Sequence, residues 1–251
     1  MGLGTLSEPV EQEVGLSHLG IIVAVTAEAR SLIKEPIPNG EIINLPGGAM
    51  LIVSGIGPTR SAMASRALLE KGAAALLSWG SAGGLKPNLS PGSLILPKTV
   101  IASDRSLYHV DMPWHKSLCN RLKGHVDFCT EPLVESAMVV RTPAEKVALF
   151  RETGAIGVDM ESAAVAAVAQ EVQVPFMAVR AVADSTNTTI PEMTLNAVDG
   201  FGRLKFLKLI QGLAKDPTEL LALVRIARNY RTAQRTLAAV ARLTGKDLLI
   251  S

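Results

Sequence analysis

Hydrophobic residues along this 251-residue chain fall into short continuous runs, separated by polar and glycine-rich stretches. A run of this length without polar alternation is typical of a strand buried on both faces of a parallel sheet. The predicted strands span residues 20–25, 49–54, 73–79, 93–96 and 174–179. The predicted helices span residues 26–33, 58–71, 143–152, 160–171 and 193–213.

The repeated alternation of strands and helices predicts the fold class. Strand–helix units connected in this way favour a mostly parallel sheet with helices on both faces. We therefore expect an α/β fold, a three-layer α/β/α sandwich with a mixed, mostly parallel central sheet. A disordered leader is expected over residues 1–19, the main domain over residues 20–216 and a helical extension over residues 217–251, with Asp216-Pro217 at the boundary.

Composition narrows the class of protein. A hydrophobic content of 48% with 19% charged residues is typical of a well-packed soluble globule. No apolar run reaches the roughly 18 uninterrupted residues that a membrane span requires. The two cysteines lack C-x-x-C spacing and the four histidines form no metal-binding motif. These features predict free thiols, a cytoplasmic location and no metal site.

The C-terminal segment differs from the rest of the chain in charge. Residues 218–251 hold six basic side chains and two acidic ones. On a helical projection, one face is apolar and another, about 120° wide, carries Arg225, Arg228, Arg231, Arg235 and Arg242. Such a helix could bind the inner face of an anionic membrane. Alternatively, it packs on the body with a solvated basic face.

Two acidic residues stand at positions where an α/β fold binds ligands. Glu161 lies at the start of a predicted helix, and Asp184 lies just beyond the next predicted strand. Strand ends and helix starts meet along one edge of the sheet, so two carboxylates there can cleave a glycosidic bond. One would hold sugar hydroxyls while the other protonates the leaving group. Alternatively, both residues are structural: Glu161 is an acid in the first turn of a helix, favoured by the helix dipole, and Asp184 is a turn residue.

A glycine-rich stretch, Gly80-Ser81-Ala82-Gly83-Gly84, follows the third predicted strand. We expect a turn there, because glycines allow the backbone to approach a ligand closely. The stretch is neither G-x-G-x-x-G nor G-x-x-x-x-G-K-[ST], so it does not indicate dinucleotide binding or triphosphate chemistry.

These segments together resemble the nucleoside phosphorylase/nucleosidase family. The resemblance covers about residues 20–212, in the order and spacing of residues 20–28, 54–57, 80–85, 158–161 and 179–184. Among the well-known branches, methylthioadenosine/S-adenosylhomocysteine nucleosidase is the most similar. The resemblance implies cleavage of an adenine nucleoside by water or inorganic phosphate, without a cofactor. It also implies a homodimer.

The resemblance assigns roles to individual residues. It implies that Asp184 donates a proton to N7 of the base, that Glu161 binds the ribose hydroxyls and that Glu28 activates the attacking water. The implied substrate-binding residues are Ser81, Gly83, Met138, Val139, Met160 and Arg180. Arg30 and Arg60 are nearby cations that could bind phosphate, although Arg60 could equally be a solvated first-turn arginine.

The chain departs from the family pattern at several points. Ala183 replaces a serine that usually precedes the purine-binding aspartate and orients it, and Ser78 replaces a phosphate-binding arginine of the bacterial phosphorylases, which favours water as the nucleophile. The stretch after His109 is shorter than the lid of the nucleosidases, which should leave the 5′ end of the nucleoside open. An open 5′ pocket, the basic tail, an adenine-type site and the stretch over residues 54–60 together resemble the hopanoid-associated phosphorylases.

The expected substrate is therefore an adenine nucleoside with a bulky 5′ group, adenosylhopane in hopanoid biosynthesis. One alternative is a methylthioadenosine/S-adenosylhomocysteine nucleosidase of sulfur-nucleoside salvage. A second is a non-catalytic nucleoside sensor, although no nucleic-acid partner is expected.

Overall fold

The computed structural model describes residues 19–35, 37–192, 199–202 and 219–245. Most of the predicted leader and the predicted boundary at Asp216-Pro217 lie outside these residues. Within them, the chain forms a mixed sheet flanked by helices, so the predicted α/β sandwich is confirmed.

The helices and strands alternate along the chain as expected for this class. The strands are β1 (Leu19–Val23), β2 (Ile42–Asn44), β3 (Met50–Val53), β4 (Ala75–Gly84), β5 (Leu94–Ile95), β6 (Thr99–Ile101), β7 (Leu107–His109), β8 (Phe128–Cys129), β9 (Leu133–Glu135), β10 (Gly157–Asp159) and β11 (Phe176–Asp184). The helices are α1 (Thr26–Ala29), α2 (Pro58–Glu70), α3 (Met112–Leu122), α4 (Pro143–Thr153), α5 (Ser162–Glu171) and α6 (Glu219–Thr244).

The ten-residue strand β4 connects the two halves of the sheet. Its first residues pair in parallel with β1, its length pairs in parallel with β11, and its last two residues pair antiparallel with β10. Beyond these neighbours the order runs β2-β3-β1 on one side and β10-β9-β6-β7 on the other. The ends of β1, β4, β10 and β11 therefore lie close together.

The glycine-rich stretch does not form the predicted turn but continues β4 to Gly84. The position of Gly80 explains why a glycine is needed in a strand here. A Cβ atom on Gly80 would lie only 2.7 Å from Oε1 of Glu28, which is closer than real Cβ contacts. The missing side chain therefore makes room for the Glu28 carboxylate beside the strand.

Several element boundaries also differ from the prediction. Strand β11 extends to Asp184. Helix α5 begins at Ser162 instead of Met160, and the Asp159 carboxylate accepts the Ser162 backbone N–H at 3.3 Å. Residues 199–202, within the predicted helix over 193–213, form a turn closed by Gly202 N–H on the Asp199 carbonyl. The rest of that predicted helix lies outside the described residues.

Six short strands, β2 and β6–β10, escaped prediction. Each has only two or three residues, too few to show any periodicity, and is defined by its neighbours in the sheet.

The C-terminal helix α6 packs on the body of the protein. Ala233, Leu237 and Val240 are fully buried in the same hydrophobic cluster as the residues of β1, β3 and β4. The five arginines of the predicted basic face are exposed. The interpretation in which the helix packs on the body is thus confirmed, and its basic face is left toward solvent. None of the helices within the described residues has the length and apolar character to cross a membrane.

This packing predicts a large loss of stability when the buried face of α6 is truncated. We expect Leu237→Ala to lower the free energy of unfolding by about 2–5 kcal/mol, because it removes buried methyl groups and leaves a cavity. Leu221→Ala, on the same helix but at a side chain that is 80% exposed, should change it by less than about 0.5 kcal/mol. Urea unfolding of both variants measures the difference, and equal losses would contradict the packing of α6.

Candidate active site

A cavity of about 630 Å³ lies where the ends of β1, β4, β10 and β11 meet. The connections after β1 and β9 and one side of α6 complete its wall. It is lined by Ala24, Val25, Ala27, Glu28, Ile56, Ser81, Ala82, Gly83, Met138, Val139, Val140, Val158, Asp159, Met160, Glu161, Ala183, Asp184, Ile190, Gly202, Leu223, Ile226, Ala227 and Tyr230.

Most of the predicted site residues meet in this cavity although they are far apart in the sequence. The structure brings together Glu28, Ser81, Gly83, Met138, Val139, Met160, Glu161 and Asp184. Three predicted residues do not line it, namely Arg30, Arg60 and Arg180. The strand ends place these groups together because β1, β4 and β11 run parallel and finish at the same edge.

The Glu28 carboxylate is held rigidly at the wall of the cavity. Its Oε1 atom accepts hydrogen bonds from the Ser81 backbone N–H at 2.8 Å and from the Ser81 hydroxyl at 2.7 Å. Its Oε2 atom accepts the Ala24 backbone N–H at 3.2 Å. The side chain is only 4% exposed. Glu28 is therefore a preformed acceptor whose orientation is fixed before any ligand binds.

Glu161 is held by backbone groups from two sides. Its Oε1 atom accepts the Gly57 N–H at 3.0 Å, and its Oε2 atom accepts the Met160 N–H at 3.3 Å. Gly57 precedes α2 with a φ of +106°, a conformation that favours glycine, so the backbone N–H can reach across to the carboxylate. Burial, followed by the negative charge of Asp159, raises the pKa of Glu161.

Arg180 stands behind Glu161 instead of in the cavity. Its Nε atom donates to Asp159 at 2.6 Å, its Nη2 atom donates to the Ser78 hydroxyl at 2.7 Å, and Nη2 lies 4.0 Å from the Glu161 carboxylate. Burial opposes the charged guanidinium, but Asp159 and then Glu161 outweigh it and raise the pKa of Arg180. Arg180 therefore balances two buried carboxylates, and Ser78 is its partner.

Asp184 ends β11 and lines the cavity beside Gly83. Its Oδ2 atom accepts a short hydrogen bond from the ammonium group of Lys146, a residue of α4 that sequence reasoning missed. Burial raises the pKa of Asp184, and the Lys146 charge only partly opposes this rise. The sequence offered no signal for Lys146, because a single lysine in a helix is usually a surface residue.

The cavity lining contains no lysine, arginine or histidine among the described residues. Arg60 donates to the Gly200 carbonyl at 3.0 Å and lies 5.2 Å from the centre of the Phe201 ring. Arg30 is exposed. Within the described part of the chain, no group of three or more histidine, cysteine, aspartate or glutamate side chains could hold a metal ion.

Helix α6 supplies an apolar wall that sequence reasoning did not connect with the site. Leu223, Ile226, Ala227 and Tyr230 face the cavity from one side of the helix. Burial raises the pKa of the Tyr230 hydroxyl. The sequence signal for this wall is the apolar face of the helix, which includes Ile226 and Tyr230. The extension is thus part of the site.

Comparison with known proteins agrees with this fold. The profile of the phosphorylase superfamily matches residues 20–205. A 5′-methylthioadenosine/S-adenosylhomocysteine nucleosidase from Buchnera aphidicola subsp. Baizongia pistaciae is 27% identical, over 73% of this chain and 82% of that protein.

Two solved structures share the fold at low sequence identity. The 5′-methylthioadenosine/S-adenosylhomocysteine nucleosidase of Neisseria meningitidis, in complex with methylthio-immucillin-A, has a TM-score of 0.67 at 18% identity and covers 90% of this chain and 96% of its own. Futalosine hydrolase of Helicobacter pylori has a TM-score of 0.64 at 17% identity, and the match covers 89% of this chain and 97% of that chain. The profile match extends over most of the chain, and the chain therefore belongs to the phosphorylase superfamily.

Proposed function

We propose that this protein cleaves the N-glycosidic bond of an adenine nucleoside. The observation that carries the proposal is that, beside the Arg180-paired Asp159, three further buried or half-buried carboxylates, Glu28, Glu161 and Asp184, meet around one cavity. Each is held by a different set of partners and can perform a different task. The name of the Buchnera relative points to the same class of substrate.

The three carboxylates divide the reaction as follows. Glu161 accepts hydrogen bonds from the ribose hydroxyls and holds the sugar. Asp184 donates a proton to N7 as the bond between C1′ and N9 breaks, so the bonding electrons leave with neutral adenine. Glu28 takes a proton from the water that attacks the oxocarbenium-like C1′. The products are adenine and the free sugar.

We propose water, not phosphate, as the nucleophile. The Glu28 carboxylate stands where the nucleophile would bind, beside Ser81. A phosphate dianion there would be repelled by Glu28, and the described lining offers no cation to balance its charge. Ser78, which replaces the arginine of the bacterial phosphorylases, is fully buried and engaged by Arg180.

We expect the purified protein to release adenine from an adenosine carrying a long 5′-alkyl group, at a rate that added phosphate does not change. Asp184→Asn should reduce this rate by about 10²–10⁴-fold, because the base leaves without a proton. Glu28→Gln should impair hydrolysis by a similar factor. Chromatographic measurement of adenine and sugar checks both.

Asp127→Asn, an exposed aspartate outside the cavity, is the control and should keep wild-type turnover. Near-wild-type turnover in Asp184→Asn would overturn the assignment of the acid. Absence of adenine release, combined with salt-dependent binding of nucleic acid, would favour the non-catalytic sensor.

We further propose a bulky apolar group at C5′, with adenosylhopane as the substrate. The apolar wall of α6 supports this proposal, since Leu223, Ile226, Ala227 and Tyr230 offer contacts suited to a hydrocarbon. The short connection between β7 and α3 supports it as well, since only Val110 and Asp111 separate the two elements. The competing candidate is methylthioadenosine or S-adenosylhomocysteine, which the Buchnera relative's name favours.

The apolar wall gives a test of the 5′ group. Ile226→Ser should lower kcat/KM for the long-alkyl substrate by about 10–100-fold, because it removes part of a hydrophobic contact, and that for methylthioadenosine by less than threefold. Val172→Ser, at a side chain that is 50% exposed just after α5 and outside the cavity lining, should change neither value. Equal losses on both substrates, or fast cleavage of methylthioadenosine alone by the wild type, would favour the salvage nucleosidase.

The start of α6 also suggests how an apolar substrate reaches the site. Leu220, Leu221 and Val224 are 52%, 80% and 59% exposed, close in sequence to the wall residue Leu223. Exposed arginines follow at positions 225, 228 and 231. We propose that this apolar and basic surface contacts an anionic membrane peripherally.

Vesicle sedimentation tests the membrane contact. The protein should bind vesicles containing phosphatidylglycerol and not pure phosphatidylcholine, and added salt should weaken the binding. Leu221→Asp with Val224→Asp should abolish binding, whereas Leu107→Asp, which alters an exposed leucine on β7, should not. Equal binding of all variants, or no binding to anionic vesicles, would refute the contact.

The homodimer remains a proposal that rests on the resemblance. Met138 lines the cavity yet keeps 77% of its surface exposed in the single chain, as expected of a residue that a substrate or a second subunit covers. Light scattering after size-exclusion chromatography gives the mass that decides it.

A further inference from the structure

Lys146 is an unusual residue for its position, because its side chain is fully buried. Its ammonium group donates hydrogen bonds to three oxygen atoms: the Asp184 carboxylate, the Ser185 carbonyl at 2.9 Å and the Thr188 carbonyl at 3.0 Å. An ammonium group removed from water is destabilising unless it is paired and fully hydrogen-bonded. This site meets both conditions, because the buried ammonium group is paired with the Asp184 carboxylate and hydrogen-bonded to two carbonyls.

The three acceptors use the full donor capacity of the Lys146 side chain. Each of the three oxygens accepts one N–H of the ammonium group. Lys146 does not line the cavity. It therefore does not touch the substrate, and any effect on catalysis passes through Asp184.

The surroundings hold Lys146 in place relative to Asp184. Helix α4 begins with a capping box, in which the Glu145 N–H donates to the Thr142 hydroxyl at 3.2 Å and the Thr142 N–H donates to the Glu145 carboxylate at 2.9 Å. The Ile190 N–H donates to the Arg141 carbonyl at 2.9 Å and ties the loop after β11 to the start of α4. The lysine and its carboxylate partner thus belong to one connected unit.

We propose that Lys146 is the positioning residue of Asp184, holding one carboxylate oxygen so that the other is presented to the departing base. This inference rests on the proposed function. Oδ2 is occupied by Lys146, and within the described residues no hydrogen bond to Oδ1 is seen. The preceding residue, Ala183, has no hydroxyl with which to orient the carboxylate. Lys146 thus provides from α4 an orientation that the residue before Asp184 cannot provide.

Lys146 also affects the pH range in which Asp184 carries a proton. Lys146, on α4, is the charged group that acts on Asp184. The other elements near Asp184 contribute uncharged groups: Gly83 on β4, Val158 on β10, and the Ser185 and Thr188 carbonyls in the loop after β11. Burial raises the pKa of Asp184, and Lys146 counteracts part of that rise. Removing Lys146 should raise the pKa further. Since the protonated acid is the active form, the alkaline limb of the pH–rate profile should then move to higher pH.

The experiment compares Lys146→Met, Lys146→Arg and the control Lys116→Met, whose lysine is exposed on α3. Each is assayed across pH with the adenine nucleoside and with a 4-nitrophenyl riboside carrying the same 5′ group. The nitrophenolate leaves without a proton, so its release does not need the acid. Circular dichroism and thermal unfolding establish that each variant is folded.

We expect Lys146→Met to lower kcat/KM for adenine release by at least about 10²-fold, to shift the alkaline limb of the pH–rate profile to higher pH and to change nitrophenolate release by less than about fivefold. Lys146→Arg should also slow adenine release. Because it keeps the positive charge, the alkaline limb of its pH–rate profile should stay at the wild-type pH. Equal losses on both substrates, or an unmoved limb in Lys146→Met, would show that Lys146 only stabilises the fold and would overturn the proposal. A shifted limb in Lys146→Arg would overturn it as well.

Carbon-13 NMR of the aspartate carboxyl groups gives a readout that does not depend on turnover. The Asp184 signal is identified by its absence in Asp184→Asn, and its pKa should be higher in Lys146→Met than in the wild type. An unchanged pKa would overturn the proposal. A wild-type protein that releases no base, but whose Asp184 pKa responds to Lys146, would instead show that the proposed function has failed and that the pairing stands.

Discussion

The burial of several carboxylates at one edge of the sheet is the constraint on which the rest of the site depends. A charged group removed from water must be paired or hydrogen-bonded, or it destabilises the fold. Glu28 is satisfied by Ser81 and the backbone, Glu161 by backbone N–H groups, and Asp184 by Lys146. Because the three sets of partners are separate, three acids of similar intrinsic chemistry acquire different surroundings, as a division of catalytic labour requires.

The same constraint explains features that look unrelated in the sequence. Gly80 lacks a side chain so that Glu28 can approach β4, and Gly57 adopts a positive φ so that its N–H reaches Glu161. Arg180 is buried and balances Asp159 and Glu161, although the family resemblance implied that it binds the substrate.

Helix α6 has two structural roles that its pattern of apolar and basic residues does not distinguish. Its buried residues, with Leu237 at their centre, join the main core, while Leu223 and Tyr230 form a wall of the cavity. Its arginines face outward. An amphipathic helix of this kind has three distinct surfaces: one for the core, one for the cavity and one for solvent or a partner. A binary division into apolar and basic faces could not separate the first two.

The sequence by itself determined the class of fold, most of the longer strands and helices and, through the family resemblance, several of the residues that line the cavity. Continuous apolar runs mark buried strands, and strand ends in an α/β fold share an edge, so Glu161 and Asp184 could be placed together from the sequence, while Glu28 was assigned by the resemblance. Only the tertiary structure decided the rest. The pairing of Lys146 with Asp184, the position of Arg180 behind Glu161 and the wall formed by α6 depend on contacts between segments far apart in the chain. Local patterns report which face of an element is apolar, but they carry no information on which distant group will lie against it.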